Sequence, residues 1–229
     1  MLFYDSTYIL VIIGFLLAAF ASSGVQSAFK KYSKVKSYRH YTGFDAARKI
    51  LDDNGLYHVR VEHISGNLSD HFDPSANVVR LSDSTYSSDS VAAIGVAAHE
   101  AGHAVQYAEN YAPIKVRNSI VPVVNICSTL AMPLFLIGLV LGAVGLANLG
   151  ILLYSGALVF QVITLPVEFN ASKRAIKILS ASSMLDEEEL SGAKKVLRAA
   201  AMTYVAAAAV SIANLLRFVL LAQNRRRRD

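Results

Sequence analysis

The sequence predicts a mainly α-helical protein with three to four integral membrane helices and a small α+β domain outside the membrane. Two observations on composition support this fold class: 54% of the 229 residues are apolar and only 17% are charged, against about 25% charged in an average soluble domain. The third observation is that the apolar residues are concentrated in four long stretches. The composition excludes a disordered chain, and the single cysteine excludes a disulfide scaffold and a zinc finger with several thiolate ligands.

Each apolar stretch is long enough to cross a bilayer core, which takes about 20 helical residues. The stretches cover residues 8–29, 119–146, 149–167 and 199–222. Only the fourth holds a charge, Arg217. Because the fourth stretch is rich in alanine, which is only weakly lipophilic, a buried soluble helix stays open as an alternative there.

Basic residues follow the first apolar stretch and none precedes it, with five lysines and arginines in residues 30–39. A secretory signal peptide has the opposite arrangement, so residues 1–29 are predicted to be an uncleaved transmembrane anchor. Basic flanks stay in the cytoplasm. Residues 30–118 are therefore predicted to form a cytoplasmic domain, and residues 119–167 a transmembrane hairpin with a tight turn near residues 145–150.

The last quarter of the chain is predicted to begin in the cytoplasm with residues 168–198, which are rich in charge. Residues 199–229 are predicted to form a C-terminal transmembrane or membrane-associated helix with a basic tail. If that helix crosses the membrane, the arginines at 225–228 lie outside and break the charge rule, so the crossing is left open. Four adjacent arginines at a helix end fit contact with anionic lipids better than nucleic-acid binding.

The strongest chemical signal is the pattern HEAGH at residues 99–103, in a segment that is rich in alanine and free of proline. This composition predicts a helix, and positions i and i+4 of a helix project from one face. His99 and His103 could therefore bind one zinc ion. Glu100 lies beside them, where it can act as a general base on the water that zinc holds. A charged glutamate between two histidines in an apolar helix needs a partner, which favours a metal site over a chance match.

A catalytic zinc ion usually has three protein ligands and one open position. Glu109 is too far away, since ten helical residues place it about 15 Å along the axis from His99. Glu168 is the predicted third ligand, because the hairpin returns it to the membrane face of His103 and because a carboxylate at the edge of a membrane helix is costly without a partner. An interfacial glutamate paired with a nearby basic residue is the alternative. The acidic cluster at 186–189 is better explained as the first turn of a helix.

Two alternating segments precede the motif helix, residues 58–63 and 77–82, and each predicts a β-strand. An edge strand beside a metal helix can pair with the extended backbone of a peptide substrate. The second strand is therefore predicted to bind substrate through Asn77, Val78, Val79 and Arg80, with a plain structural strand as the alternative. His71 is predicted as a second catalytic residue that donates to the oxyanion of the transition state, and His63 is a weaker candidate for the same role.

The motif helix resembles that of the YugP-like neutral zinc metallopeptidases of bacterial membranes. The resemblance is carried by residues 66–74, 80–82, 96–106 and 165–168, and it extends over nearly the whole chain. The family is similar to the HtpX-like and CAAX prenyl-peptide membrane proteases, which are gluzincins with two motif histidines and a distant glutamate as zinc ligands. The resemblance thus implies a zincin-like catalytic domain within residues 30–118 and one Zn²⁺ per chain, held by His99, His103 and Glu168.

The second motif of the HtpX-like and CAAX prenyl-peptide proteases is roughly Glu-x-x-Ala-Asp, and residues 168–172 match it except at the last position. Ser172 replaces the aspartate that is expected to orient a zinc-binding histidine. Because such histidines usually have an orienting partner, Asn170 or another residue is expected to take this part.

The sequence therefore predicts a membrane-embedded zinc metalloendopeptidase, multi-pass in the bacterial inner (plasma) membrane, with its active site facing the cytoplasm. Its expected partners are a membrane-associated peptide or protein substrate and the lipid bilayer. Nucleic acid is not expected, because acidic and basic residues are mixed in the loop at 30–118. A catalytically inactive membrane metal-binding or adaptor protein is the alternative. A small-ion transporter is disfavoured, because only Arg217 is ionisable within the apolar stretches.

Overall fold

The computed structural model of the protein describes residues 6–226, and this part of the chain is mainly helical with one three-stranded sheet. In chain order its elements are α1 (Tyr8–Tyr32), α2 (Gly43–Asp53), β1 (Arg60–Ile64), β2 (His71–Asp73), β3 (Val78–Ser82), α3 (Val91–Ala108), α4 (Ala112–Leu141), α5 (Val144–Ala181) and α6 (Glu187–Arg226). The first residues of the predicted anchor and the last three residues of the predicted basic tail lie outside the described part.

Four helices, α1, α4, α5 and α6, are long and apolar enough to cross a membrane. They match the four apolar stretches of the sequence, at the upper end of the predicted three to four. α6 begins at the predicted acidic turn and continues without a break through the alanine-rich stretch. The protein is therefore a membrane protein with four candidate spans.

The turn between α4 and α5 lies earlier than predicted. α4 ends at Leu141, and Gly142 has a φ of +68°, which favours glycine. The predicted turn at residues 145–150 is wrong, since these residues form the start of α5. The glycine at position 150 serves helix packing instead of a change in chain direction.

The membrane helices α4 and α5 approach each other closely at glycines. Most of α4 and the first part of α5 belong to one compact unit, made of the described parts of residues 1–22, 116–166 and 203–229. A Cβ atom at Gly150 would lie 2.6 Å from the backbone nitrogen of Phe135 and 2.8 Å from the carbonyl oxygen of Ala131. At Gly138 a Cβ atom would overlap the backbone of Ala147. Small residues permit such contacts between membrane helices.

We expect Gly150→Leu to destabilise the α4–α5 pair by about 1–3 kcal/mol, because overpacking forces the two backbones apart. Gly156→Leu is the matched control on the same helix, since a Cβ atom at Gly156 meets nothing within 4 Å. Thermal unfolding of the full chain in detergent measures the difference. Equal stability of the two variants would contradict the close approach.

Residues 23–115 and 167–202 form the second compact unit. Its core joins α2, β3 and α3 to the adjoining parts of α5 and α6 and includes Ile50, Leu81, Ile94, Leu179 and Leu197. Burial of each such side chain contributes roughly 1.5–3 kcal/mol relative to its exposure. α3 therefore lies in the interior of this unit, which fixes the position of the motif that it carries.

β3 is the central strand of the sheet, whose order is β1-β3-β2. It runs parallel to β1 and antiparallel to β2. The side chains of Val78, Val79 and Leu81 are fully buried. Such two-sided burial is typical of a central strand, and β1 and β2 are left as the edges.

The prediction that Asn77, Val78, Val79 and Arg80 lie on an edge strand is wrong, because β3 is the central strand; their contact with substrate stays a prediction. Val78, Val79 and Arg80 each face a partner residue on both β1 and β2, so their backbone is already paired on both sides. Asn77 precedes the strand, and its carbonyl oxygen accepts a hydrogen bond from the Arg60 N–H at 3.1 Å. The sequence did not reveal β2, the strand that pairs with the other side of β3. A strand of three residues is too short to leave an alternating pattern.

Candidate metal centre

α3 presents the two motif histidines from one face, as predicted. Ser90 caps the helix, because its hydroxyl oxygen accepts a hydrogen bond from the Ala93 N–H at 3.2 Å. The helix then runs unbroken to Ala108. The rings of His99 and His103 meet edge to face with centroids 4.7 Å apart, and their Nε2 atoms lie 3.1 Å apart.

α5 brings Glu168 to the same point. Its Oε2 atom lies 3.2 Å from Nε2 of His99 and 3.6 Å from Nε2 of His103. The close approach of the two helices depends on Gly102, where a Cβ atom would lie 3.0 Å from the carbonyl oxygen of Ala171. Gly102 thus lets α5 lie against the motif helix.

The three ligand atoms are spaced as a tetrahedral zinc ion requires. Zinc–ligand bonds of about 2.0–2.1 Å place neighbouring ligand atoms roughly 3.3 Å apart, and the observed separations are 3.1, 3.2 and 3.6 Å. The side chains of His99, His103 and Glu168 are 13%, 10% and 4% exposed. Three converging, nearly dry acceptors are costly without a cation between them, and a set of two histidines and one glutamate suits zinc. The residues present therefore fit the metal.

The far ring nitrogens of both histidines have partners of their own. The Nδ1 atom of His99 lies 3.1 Å from the hydroxyl oxygen of Ser172, the last residue of the second motif. The Nδ1 atom of His103 lies 3.0 Å from Oε1 of Gln106. Asn170, the expected substitute for the aspartate, instead accepts a hydrogen bond from Gln106 at 2.9 Å. Each imidazole thus keeps its Nε2 atom directed at the common point.

Glu100 lies beside this point and contacts β2. Its Oε2 atom accepts a hydrogen bond from the backbone N–H of Phe72 at 3.1 Å. Burial raises the pKa of Glu100 to about 7; the charges of Glu168 and Asp70 add to this rise, and His99 opposes it. A carboxyl group whose pKa lies near neutrality exchanges protons readily.

β2 is the strand that borders the metal helix, and the sequence did not predict it. The Phe72 N–H points away from β3, because it donates to Glu100. Asp70 fixes the start of the strand, since its carboxylate accepts from the backbone N–H and the hydroxyl of Ser82 at 2.8 and 3.0 Å. The outer edge of β2 is therefore the edge that faces Glu100.

His71 lies at the exposed end of β2 with both ring nitrogens engaged. Its Nδ1 atom lies 2.9 Å from the carbonyl oxygen of Ser69, an acceptor only, so Nδ1 carries the proton and donates there. Its Nε2 atom lies 3.3 Å from Nη1 of Arg80. Within residues 6–226 the metal-binding group does not include His71. These contacts do not favour an oxyanion donor, and that role stays a prediction.

The weaker candidates have local partners. His63 lies 2.7 Å from the carboxylate of Asp83. Glu109, which the spacing excluded as a ligand, pairs instead with Arg174 at 2.6 Å. Neither residue belongs to the metal-binding group found in the described part of the chain.

The described residues thus combine four candidate membrane spans with a candidate metal centre of two histidines and one glutamate. The chain belongs to the family described as "Putative neutral zinc metallopeptidase", which matches residues 7–223. It is 51% identical to the Bacillus subtilis (strain 168) protein named "Putative membrane protease YugP", over 210 residues that make up 92% of this chain and 93% of that protein. No solved structure was found to match the chain.

Proposed function

We propose that the protein is a zinc metalloendopeptidase in which His99, His103 and Glu168 hold one zinc ion per chain and Glu100 is the general base. The observation that carries the proposal is the convergence of three buried ligand atoms from α3 and α5, with a fourth ionisable group beside them. Family membership supports the same activity. The second compact unit is then a zincin-like catalytic domain.

A zinc ion at this point supplies a Lewis acid that polarises a peptide carbonyl and lowers the pKa of a water molecule. Glu100 accepts a proton from the attacking water and passes it to the leaving amine. Its carboxylate is held in place by the Phe72 N–H. Ser172 and Gln106 fix the imidazole rings through their Nδ1 atoms. These contacts hold Glu100 and the two imidazole rings in position.

Substrate backbone is expected to align along the outer edge of β2. β3 cannot take this part, because it is paired on both sides. Edge strands bind extended peptides through main-chain hydrogen bonds, and the contact between the Phe72 N–H and Glu100 places this edge beside the general base. The proposed substrate is therefore an extended segment of a peptide or protein.

The proposed location is the bacterial plasma membrane, with several crossings and the active site at the cytoplasmic face. The four apolar helices and the name of the Bacillus subtilis relative support a membrane setting. Lys30 and Lys31 in the last turn of α1 support the cytoplasmic orientation. A membrane-associated substrate follows from this location, because Glu168 comes directly after an apolar stretch.

Metal removal tests the proposal. The full chain is purified in detergent, its zinc content is measured by elemental analysis, and hydrolysis of casein is followed before and after treatment with a chelator. We expect about one zinc ion per chain, loss of hydrolysis on chelation and recovery on addition of zinc. Hydrolysis that survives metal removal would overturn the proposal. Zinc binding without any hydrolysis would favour the inactive metal-binding protein.

A further inference from the structure

Gln106 is fully buried, one helical turn beyond His103 on α3. Its side-chain amide has three hydrogen-bonding contacts. Nε2 donates to the carbonyl oxygen of Val167 at 2.9 Å and to Oδ1 of Asn170 at 2.9 Å. Oε1 lies 3.0 Å from Nδ1 of His103. The amide thus connects α3 to the residue that immediately precedes the ligand Glu168.

The orientation of this amide is determined by its partners. A backbone carbonyl oxygen can only accept, so the nitrogen of Gln106 must face Val167 and its oxygen must face His103. The oxygen of Asn170 is fixed in the same way, because the Nε–H of Arg174 donates to it at 2.7 Å. Arg174 is held in turn by Glu109 at 2.6 Å. This chain of contacts leaves no reversed arrangement of either amide.

A fixed oxygen at Gln106 decides the tautomer of His103. Nδ1 must carry the proton and donate it to Oε1, and the lone pair of Nε2 is then free on the side of His99 and Glu168. In water a neutral imidazole exchanges between two tautomers, and only one of them presents Nε2 to a metal. Holding one tautomer and one ring orientation in advance removes the free-energy cost of selecting them when the metal binds.

We infer that Gln106 is a positioning residue for the metal centre: its buried amide, locked by Val167 and Asn170, holds His103 in the tautomer and orientation that bind zinc. The inference rests on the proposed metal site and deepens it. It departs from the usual pattern of a carboxylate or a backbone carbonyl beside a zinc-binding histidine. It also gives a role to the hydrogen-bond network that runs from the buried Gln106 to the exposed Glu109, which the proposed hydrolysis does not otherwise use.

The test measures zinc affinity of the full-length protein in detergent, by competition with a chromophoric chelator. Gln106→Met keeps the length of the side chain and removes the acceptor, and we expect zinc affinity to fall about 10- to 100-fold. Gln106→Glu keeps an oxygen for the Nδ1–H of His103 but loses the N–H groups that donate to Val167 and Asn170, so we expect a smaller loss of zinc affinity than in Gln106→Met. The absorption spectrum of the cobalt-substituted protein is expected to shift in Gln106→Met alone.

Val105→Ala is the matched control. Val105 is 3% exposed and belongs to the hydrophobic core, so its truncation lowers thermal stability without touching His103. We expect unchanged zinc affinity in this variant. The inference is overturned if Gln106→Met binds zinc as tightly as the original protein, if Val105→Ala weakens zinc binding equally, or if Gln106→Glu binds zinc more weakly than Gln106→Met.

If the Gln106→Met protein does not fold, a second variant, Asn170→Ala, still tests the inference. Asn170→Ala removes one of the two acceptors that orient the amide of Gln106, and a smaller loss of zinc affinity is expected. Unchanged affinity in Asn170→Ala would then count against the inference. Absence of zinc from the unsubstituted protein would overturn the proposed function itself, which separates the two failures.

Discussion

Glu100→Gln is expected to lower peptide hydrolysis by about 10²- to 10⁴-fold, the usual contribution of a general acid–base group, and to leave zinc content unchanged. The amide has the shape of the carboxylate but cannot accept the proton of the attacking water. Its oxygen can still accept the hydrogen bond from Phe72, which spans 3.1 Å in the original protein. The position of β2 is therefore expected to survive the substitution.

Initial rates on casein and elemental analysis of the same preparation give both readouts. Glu187→Gln is the matched control, since Glu187 is exposed in the first turn of α6. We expect original rates for that variant. A Glu100→Gln protein that cleaves at the original rate would remove Glu100 from the proposed mechanism, whatever its zinc content.

Glu168→Gln is expected to weaken zinc binding by more than about 100-fold, because loss of an outer partner alone typically costs about 10- to 100-fold. An amide oxygen is a much poorer zinc ligand than a carboxylate, and the buried site loses its only acidic ligand. Because the metal is lost, the rate of hydrolysis is expected to fall to the background rate. Zinc affinity, measured by chelator competition, and activity are therefore expected to fall together.

Glu188→Gln serves as the control for Glu168→Gln, because Glu188 is exposed on α6. A Glu168→Gln protein with full zinc content would mean that another residue completes the site. Loss of zinc from both variants would point to general unfolding instead of a lost ligand. Far-ultraviolet circular dichroism of each preparation distinguishes that case.

The elements fixed by local pattern could be predicted from the sequence. α3 follows from alanine content and the HEAGH pattern, and its histidines converge because i and i+4 share a helix face. The four apolar helices follow from length and hydropathy. Local pattern alone could not predict Glu168 as a ligand, since it lies 69 residues from His99 in the sequence. The predicted hairpin and the family resemblance led to it, and the structure brings it within 3.2 Å of His99.

The features that depend on distant pairing could not be predicted. β2 is only three residues long and lies at an edge of the sheet. Without β2, the sequence pattern indicates β3 as the edge strand, although β3 has no free edge in the structure. The turn at Gly142 was missed because the glycines at 145 and 150 gave an equally strong turn signal. Gln106 did leave a local signal, because it lies at i+3 from His103 and such residues are neighbours on a helix.

The origin of the three ligands in two helices has a consequence for the order of biosynthesis. Both histidines are synthesised before Glu168, and His99 precedes it by 69 residues. At about 5–20 residues per second, that separation of 69 residues corresponds to roughly 3–14 s of translation. Until α5 has been made, the nascent chain carries a general base and two ligands but no third ligand. Under the proposed function, hydrolysis therefore cannot precede synthesis of α4 and most of α5. A chain that is interrupted before this point is released without a complete metal centre.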